Sequence, residues 1–129
     1  MVRMSRRITI VLGDLQVDAE LNDSKTAALV WDQLPLESSY NTWGDEIYFP
    51  VPVEAGLEDG QAVVGLGDLG YWPQGNAFCI FYGRTPVSRG DEIRPASPVN
   101  VIGRMISNPK VFKKAAHAGD TIRIEKRGQ

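Results

Sequence analysis

Hydrophobic and polar residues alternate at the start of the chain. Ile8, Ile10 and Leu12 fall at every second position, and Leu15, Val17, Ala19 and Leu21 do the same against Gln16, Asp18 and Glu20. A period of two marks a half-buried strand. Only Gly13-Asp14 separates the two runs, and Gly at the first central position suits a type II′ turn. The pattern predicts a hairpin of two strands, 7–12 and 15–21. After Leu21 the period changes. Asn22-Asp23-Ser24 is a cluster of helix-capping residues, and Ala27, Val30, Trp31 and Leu34 then share one face at helical spacing. Pro35 disfavours helical backbone at Leu34. A helix is therefore predicted over 24–34, with Trp31 in the core.

From Leu36 to Ile106 the chain reads as strand and loop. Ten glycines and six prolines fall between Gly44 and Gly103, so no helix of three turns fits there. Strand candidates are 36–42, 46–53, 62–64, 77–82 and 99–106. Pro50 and Pro52 make the second an edge or bulged strand. Ala77 to Tyr82 is a continuous apolar run, the pattern of a strand buried on both faces. A second helix is predicted over 109–116. Asn108 can cap it, Pro109 suits its first position and Gly119 its exit. Lys113, Lys114 and His117 lie near its negative end. Ile122 and Ile124 alternate in a last strand, 121–126. Two short helices cannot cover an open sheet of seven or eight strands. A closed β-barrel with a helix at each open end buries the apolar faces and removes the sheet edges.

Composition narrows the class. The chain has 129 residues, of which 43% are hydrophobic and 23% charged. That is enough for one domain, 1–129, with a core of its own. No run of 18 apolar residues exists, so no membrane-spanning helix is expected. The apolar run behind the basic N-terminus ends at Gly13, too soon for an export signal, and no cleavage site follows. One cysteine, Cys79, excludes an internal disulfide framework. These features point to the cytoplasm. The net charge of −2 hides a split: twelve acidic residues and one basic residue between Ile8 and Gly83, then ten basic and four acidic from Arg84 onward. Either the two halves interleave and neutralise each other, or they attract between copies in self-association. The basic residues are not interleaved with aromatics, so nucleic acid is not an expected partner.

Most familiar chemistries are missing. One His and one Cys cannot build a nitrogen and sulfur metal site, and no loop carries the spaced acids of a calcium site. No metal and no cofactor are expected. Asp45-Glu46 and Asp91-Glu92 are sequence neighbours that point to opposite faces of a strand. The glycines of Gly65-Leu66-Gly67-Asp68-Leu69-Gly70 precede no helix that could hold a phosphate. His117 at a helix end and Cys79 in an apolar strand read as a solvated group and a small inert hydrophobe. What remains is a concentration of aromatics in 41–49 and 70–78. Trp43, Tyr48, Tyr71, Trp72 and Phe78, with Glu46 and Asn76 as polar groups, are the candidate ligand-binding residues of one concave surface. The same rings can equally seal the barrel mouth.

Three motifs add a resemblance. Gly-Asp-Leu-Gly-Tyr-Trp-Pro-Gln-Gly-Asn-Ala-Phe-Cys-Ile-Phe-Tyr-Gly (67–83), Trp-Gly-Asp-Glu-Ile-Tyr-Phe (43–49) and Ser-Pro-Val-Asn-Val-Ile-Gly (97–103) resemble a family of small prokaryotic cyclophilin-like proteins of unassigned function. The resemblance covers nearly the whole chain and implies a closed eight-stranded barrel with two helices. True cyclophilins carry Gly-Ser-Gln-Phe-Phe-Ile after an earlier Gly. Here Gly70, Gly75, Phe78 and Ile80 match, while Asn76, Ala77 and Cys79 depart. The Phe-His-Arg motif, whose arginine stabilises the twisted prolyl amide, has no counterpart. Two functions stay open: a peptide- or small-ligand-binding barrel with an aromatic and acidic cleft, and an atypical peptidyl-prolyl isomerase. An arginine beside the cleft, drawn from Arg84, Arg94 or Arg104, favours the second.

Overall fold

The structure is a computed structural model that describes residues 6–127. Residues 1–5, with Arg3 of the basic N-terminus, lie outside the described residues. Strands β1 (Arg6–Leu12) and β2 (Leu15–Leu21) form the expected hairpin in unbroken antiparallel register from Arg6↔Leu21 to Leu12↔Leu15. Gly13 adopts φ +61°, as the first central position of the turn requires. Helix α1 (Lys25–Asp32) follows. The Ser24 side chain accepts a hydrogen bond from the Ala27 amide at 3.1 Å, so Ser24 is the residue of the capping cluster that caps.

A second group shares that helix end. The Glu58 carboxylate, from the long connection after β5, accepts from the Lys25 and Thr26 amides at 3.0 and 2.9 Å and from the Thr26 hydroxyl at 2.8 Å. These bonds hold the Glu58 carboxyl below its ordinary range. Helix α1 ends two residues before the predicted stop, and Trp31 is half-buried at the edge of the core. The Lys126 ammonium sits 4.7 Å from the centre of the Trp31 ring, so this indole is a partly wet cation partner rather than an interior residue.

Predicted strand 36–42 divides into β3 (Leu36–Ser39) and β4 (Asn41–Thr42), with Tyr40 between them. Strand β5 is Glu46–Pro50, shorter than predicted because Pro50 and Pro52 end the ladder. Strand β6 (Asp68–Trp72) was not expected: its glycines disguise it as loop. Strand β7 is Ala77–Phe81, β8 Asn100–Met105 and β9 Thr121–Lys126. The candidate at 62–64 is not a strand but one bridge, Val64 to Ile93, beside another from Gln61 to Val99. The second helical region opens with a 3₁₀ turn, Pro109–Val111, and continues as α2 (Phe112–Ala115). The Asn108 side chain caps it through the Lys110 amide at 3.0 Å.

The strands form one antiparallel sheet in the order β3-β9-β1-β2-β8-β6-β7-β5-β4. Its two edges, β3 and β4, are successive stretches of one segment. The ladder therefore curls into a nearly closed barrel completed through Tyr40, whose amide donates to Asp120 O and whose carbonyl accepts from the Gly119 amide. Inside lie Ile8, Ile10, Val17, Phe49, Leu69, Tyr71, Phe78 and Ile102, joined by Ala27 and Val30 of α1 and Phe112 of α2. A second cluster lies outside the wall: Val64, Cys79, Phe81, Ile93 and Val99. It is covered by the segment between β7 and β8. Among the described residues, no helix is long and apolar enough to cross a membrane.

The two charge blocks meet within the fold. Arg127 pairs with Asp18 and Lys113 with Asp45, while Arg7, ahead of both blocks, pairs with Glu20. The seam between β2 and β8 explains one glycine. A Cβ on Gly103 would collide with the carbonyl oxygen of Glu20, a backbone atom that cannot swing aside. Gly103→Ala is therefore expected to lower stability by about 1–3 kcal/mol, the range for overpacking an interior. Chemical denaturation checks it, and an unchanged midpoint would show that the seam yields.

Candidate functional site

The outer face of the barrel is read off the strand register. In β7 the odd positions Cys79 and Phe81 face outward, while Phe78 and Ile80 face the interior. Tyr48 stands opposite Cys79, Glu46 opposite Phe81 and Trp72 opposite Ala77. Glu46, Tyr48 and Trp72 therefore rise on the same outward face. Trp43 joins them from the turn that links β4 to β5. The Trp43 amide donates to Glu46 O at 2.9 Å, and Gly44 takes φ +59°. Any side chain at Gly44 would press on Arg84 O and Pro86 at 2.8 Å. Close approach of the covering segment thus requires glycine there.

The covering segment leaves a gap over these residues. Trp43, Glu46, Tyr48, Trp72, Pro95, Ala96 and Val99 line a cleft of about 250 Å³. The segment is tied down around it. The Ser88 hydroxyl accepts from the Thr85 and Arg94 amides at 3.0 and 3.1 Å. The Glu92 carboxylate holds both Nε and Nη2 of Arg94 at 3.1 Å. The Trp72 indole nitrogen donates to the Ser97 hydroxyl at 2.6 Å. Below it, a Cβ on Gly75 would lie 2.7 Å from the indole ring. Trp72 is thus held between the turn after β6 and the covering segment, which fixes one wall of the cleft.

Four of the seven candidate residues, Trp43, Glu46, Tyr48 and Trp72, meet here on the barrel wall rather than at its mouth. Three do not. Phe78 points inward and stacks on Phe49 with ring centres 5.2 Å apart. Tyr71 also points inward. Its hydroxyl donates to Val53 O at 2.6 Å and accepts from the Ala55 amide at 3.2 Å. Asn76 is exposed with φ +46° at the exit of a 3₁₀ turn, and its side-chain oxygen lies 3.1 Å from the Tyr71 hydroxyl. Strand alternation is the reason: neighbours in one aromatic run face opposite sides of the sheet, and β6 was unseen. No local signal in the sequence marks Pro95, Ala96 and Val99, because only the fold brings 95–99 to 43–48.

Glu46 sets the electrostatics. Its side chain is buried, with the residue 6% exposed. Burial pushes its carboxyl up to about 7, partly offset by the hydrogen bond with the Cys79 thiol on β7. The thiol itself is pushed well above its ordinary value, first by burial and then by the Glu46 charge, which keeps it protonated and unreactive. Among the described residues, no arginine lines the cleft. Arg84 donates to Ser88 O at 3.1 Å, Arg94 is clamped to Glu92, and Arg104 stands opposite Glu20 and Asp68 on β8's neighbours.

The chain matches the family model described as Cyclophilin-like over residues 6–125. It is also similar to a solved structure, that of the hypothetical protein AF2241 from Archaeoglobus fulgidus. The two are 38% identical over 95% of each chain, with a TM-score of 0.78. No curated protein matches the chain.

The raised carboxyl makes stability depend on pH. Folded Glu46 holds its proton to about 7, against 4.5 when unfolded. The folded state therefore binds more protons between these values, and stability falls as pH rises through that window. Glu46→Gln is expected to remove this slope. Relative to the variant, the native protein should lose on the order of 3 kcal/mol between pH 4 and pH 8. Denaturation curves at the two pH values measure it, and parallel behaviour of both proteins would refute the buried titration. Phe78→Ala should cost about 3–5 kcal/mol as an interior ring, whereas Trp43→Ala, half-exposed, should cost far less.

Proposed function

The chain belongs to the Cyclophilin-like family, and on that premise we propose that it is a binding barrel whose cleft takes a peptide side chain or a small ligand. The observation that carries this reading is the cleft itself: three aromatic side chains and one buried carboxyl converge from two strands and a turn, under a covering segment fixed by hydrogen bonds. A few polar groups in an apolar concavity are what ligand sites use. A buried carboxyl is costly, and nothing in the barrel's packing requires one there, since the neighbouring outward positions are apolar.

Prolyl isomerisation is the weaker reading. The uncatalysed barrier is ~18–20 kcal/mol. Lowering it calls for a donor aimed at the twisting amide, and interactions equal in both isomers give no acceleration. The guanidinium groups of Arg84, Arg94 and Arg104 are engaged elsewhere or stand on another part of the wall. Phe78, which matches the first Phe of the Gly-Ser-Gln-Phe-Phe-Ile motif of true cyclophilins, is an interior residue here.

The test is a screen of fragments and short peptides on isotope-labelled protein, with the three tryptophan indole signals as reporters. Saturable shifts at Trp43 and Trp72, with Trp31 unmoved, are expected. Trp43→Ala should weaken such a hit by about 1–3 kcal/mol, as for a hot-spot ring. Saturable shifts centred elsewhere, or none at all, would refute the reading. A proline-peptide isomerisation assay is expected to return the uncatalysed rate, and turnover approaching that of a true cyclophilin would restore the isomerase.

A further inference from the structure

The cleft has a feature that a merely apolar slot does not need. Trp43, Tyr48 and Trp72 surround its one ionisable acid, Glu46. Aromatic faces carry negative electrostatic potential and attract a cation within about 6 Å of the ring centre, more strongly as water is excluded. A carboxylate behind such rings adds a full counter-charge in a site with little water to screen it. The same carboxyl is destabilised while no cation is present, because burial disfavours its charged form.

The groups around Glu46 leave that role open. From β7 the facing titratable group is the Cys79 thiol, which is neutral. On β5 itself it is Tyr48. In the adjoining turn, Asp45 is turned to Lys113 at 3.7 Å. In the covering segment, Arg94 precedes the lining residues Pro95 and Ala96, but its guanidinium is held by Glu92 at 3.1 Å on both nitrogens.

We propose that the cleft receives an alkylammonium group, a trimethylammonium or methylated-amine head, seated against Trp43, Tyr48 and Trp72 with Glu46 as its counter-ion. This rests on the cleft being a ligand site and names the class of ligand. The head group brings the charge that the buried carboxyl lacks, and its methyl groups meet rings rather than water. Because Glu46 must be ionised to act as counter-ion, binding below pH 7 releases a proton.

Choline and its neutral isostere 3,3-dimethylbutan-1-ol separate charge from shape. Each is titrated into the full chain at pH 6 and pH 8, following the indole signals of Trp43 and Trp72. Choline is expected to saturate both signals, and the alcohol to bind at least about tenfold more weakly. Choline affinity should rise about tenfold from pH 6 to pH 8, as the ionised fraction of a group near 7 does. Glu46→Gln should abolish the pH dependence and reduce the preference for choline to the share that the three rings supply. Equal binding of choline and alcohol to the native protein would overturn the proposal while leaving a ligand cleft in place. If choline fails to saturate where the fragment screen yields hits, this inference alone falls. If the screen is also empty, the ligand reading falls with it. Should Glu46→Gln not fold, the choline and alcohol comparison on the native chain decides the matter alone.

Discussion

The structure depends on one strand being buried on both faces. From Ala77 to Phe81, no position of β7 reaches water. Its inward side chains, Phe78 and Ile80, fill the barrel. Its outward ones, Cys79 and Phe81, would leave an apolar stripe on the wall. Burying that stripe requires a second layer, and the long segment between β7 and β8 supplies it through Ile93 and Val99. The cleft is the part of this layer that the segment does not fill. Core and candidate site are therefore consequences of the same apolar run, separated only by the alternation of a strand.

That dependence explains why several residues of the three motifs serve architecture. Gly70 sits where a Cβ would press on Phe81 and Val99 at 3.2 Å, so the two layers close over it. Asn100 is buried with every polar atom used: its amide nitrogen donates to Gly56 O and the Thr26 hydroxyl, and its oxygen accepts from the Glu58 amide. It ties α1, β8 and the connection after β5 into one unit, and Glu58 then reaches the amide end of α1. Buried polar groups are tolerated when fully paired, and here the pairing determines where a long loop lies. Phe78, the motif residue most suggestive of a substrate pocket, stabilises the barrel interior instead.

Glu46 is the exception to this economy. Its neighbours on the outer face are apolar, and burial costs a carboxyl part of its charge. The packing of the second cluster is served by Cys79, Phe81 and Val99 without it. A destabilised acid beside half-buried rings is a trade of stability for a local property, the kind that binding sites make.

The hairpin, both helix starts and the doubly buried strand were legible in the sequence because each rests on neighbours in the chain: a period of two, a Ser24 or Asn108 cap, an unbroken apolar run. The closed architecture followed from burial, since two short helices cannot cover so many strands. Local pattern failed where glycine served tertiary contact. Asp68–Trp72 read as loop because Gly70 makes room for Phe81 and Val99, which lie 11 and 29 residues away in the chain. With that strand hidden, Tyr71 and Trp72 read as neighbours of one run although they face opposite sides of β6, and Phe78 turns to the interior by the same alternation in β7. The sequence by itself determined that aromatics and an acid concentrate in 41–49 and 70–78. Which rings share a surface, that Pro95 to Val99 covers them, and that Glu46 is held nearly dry were decided only by tertiary structure. A residue's face depends on register, and its solvation depends on segments distant in the chain.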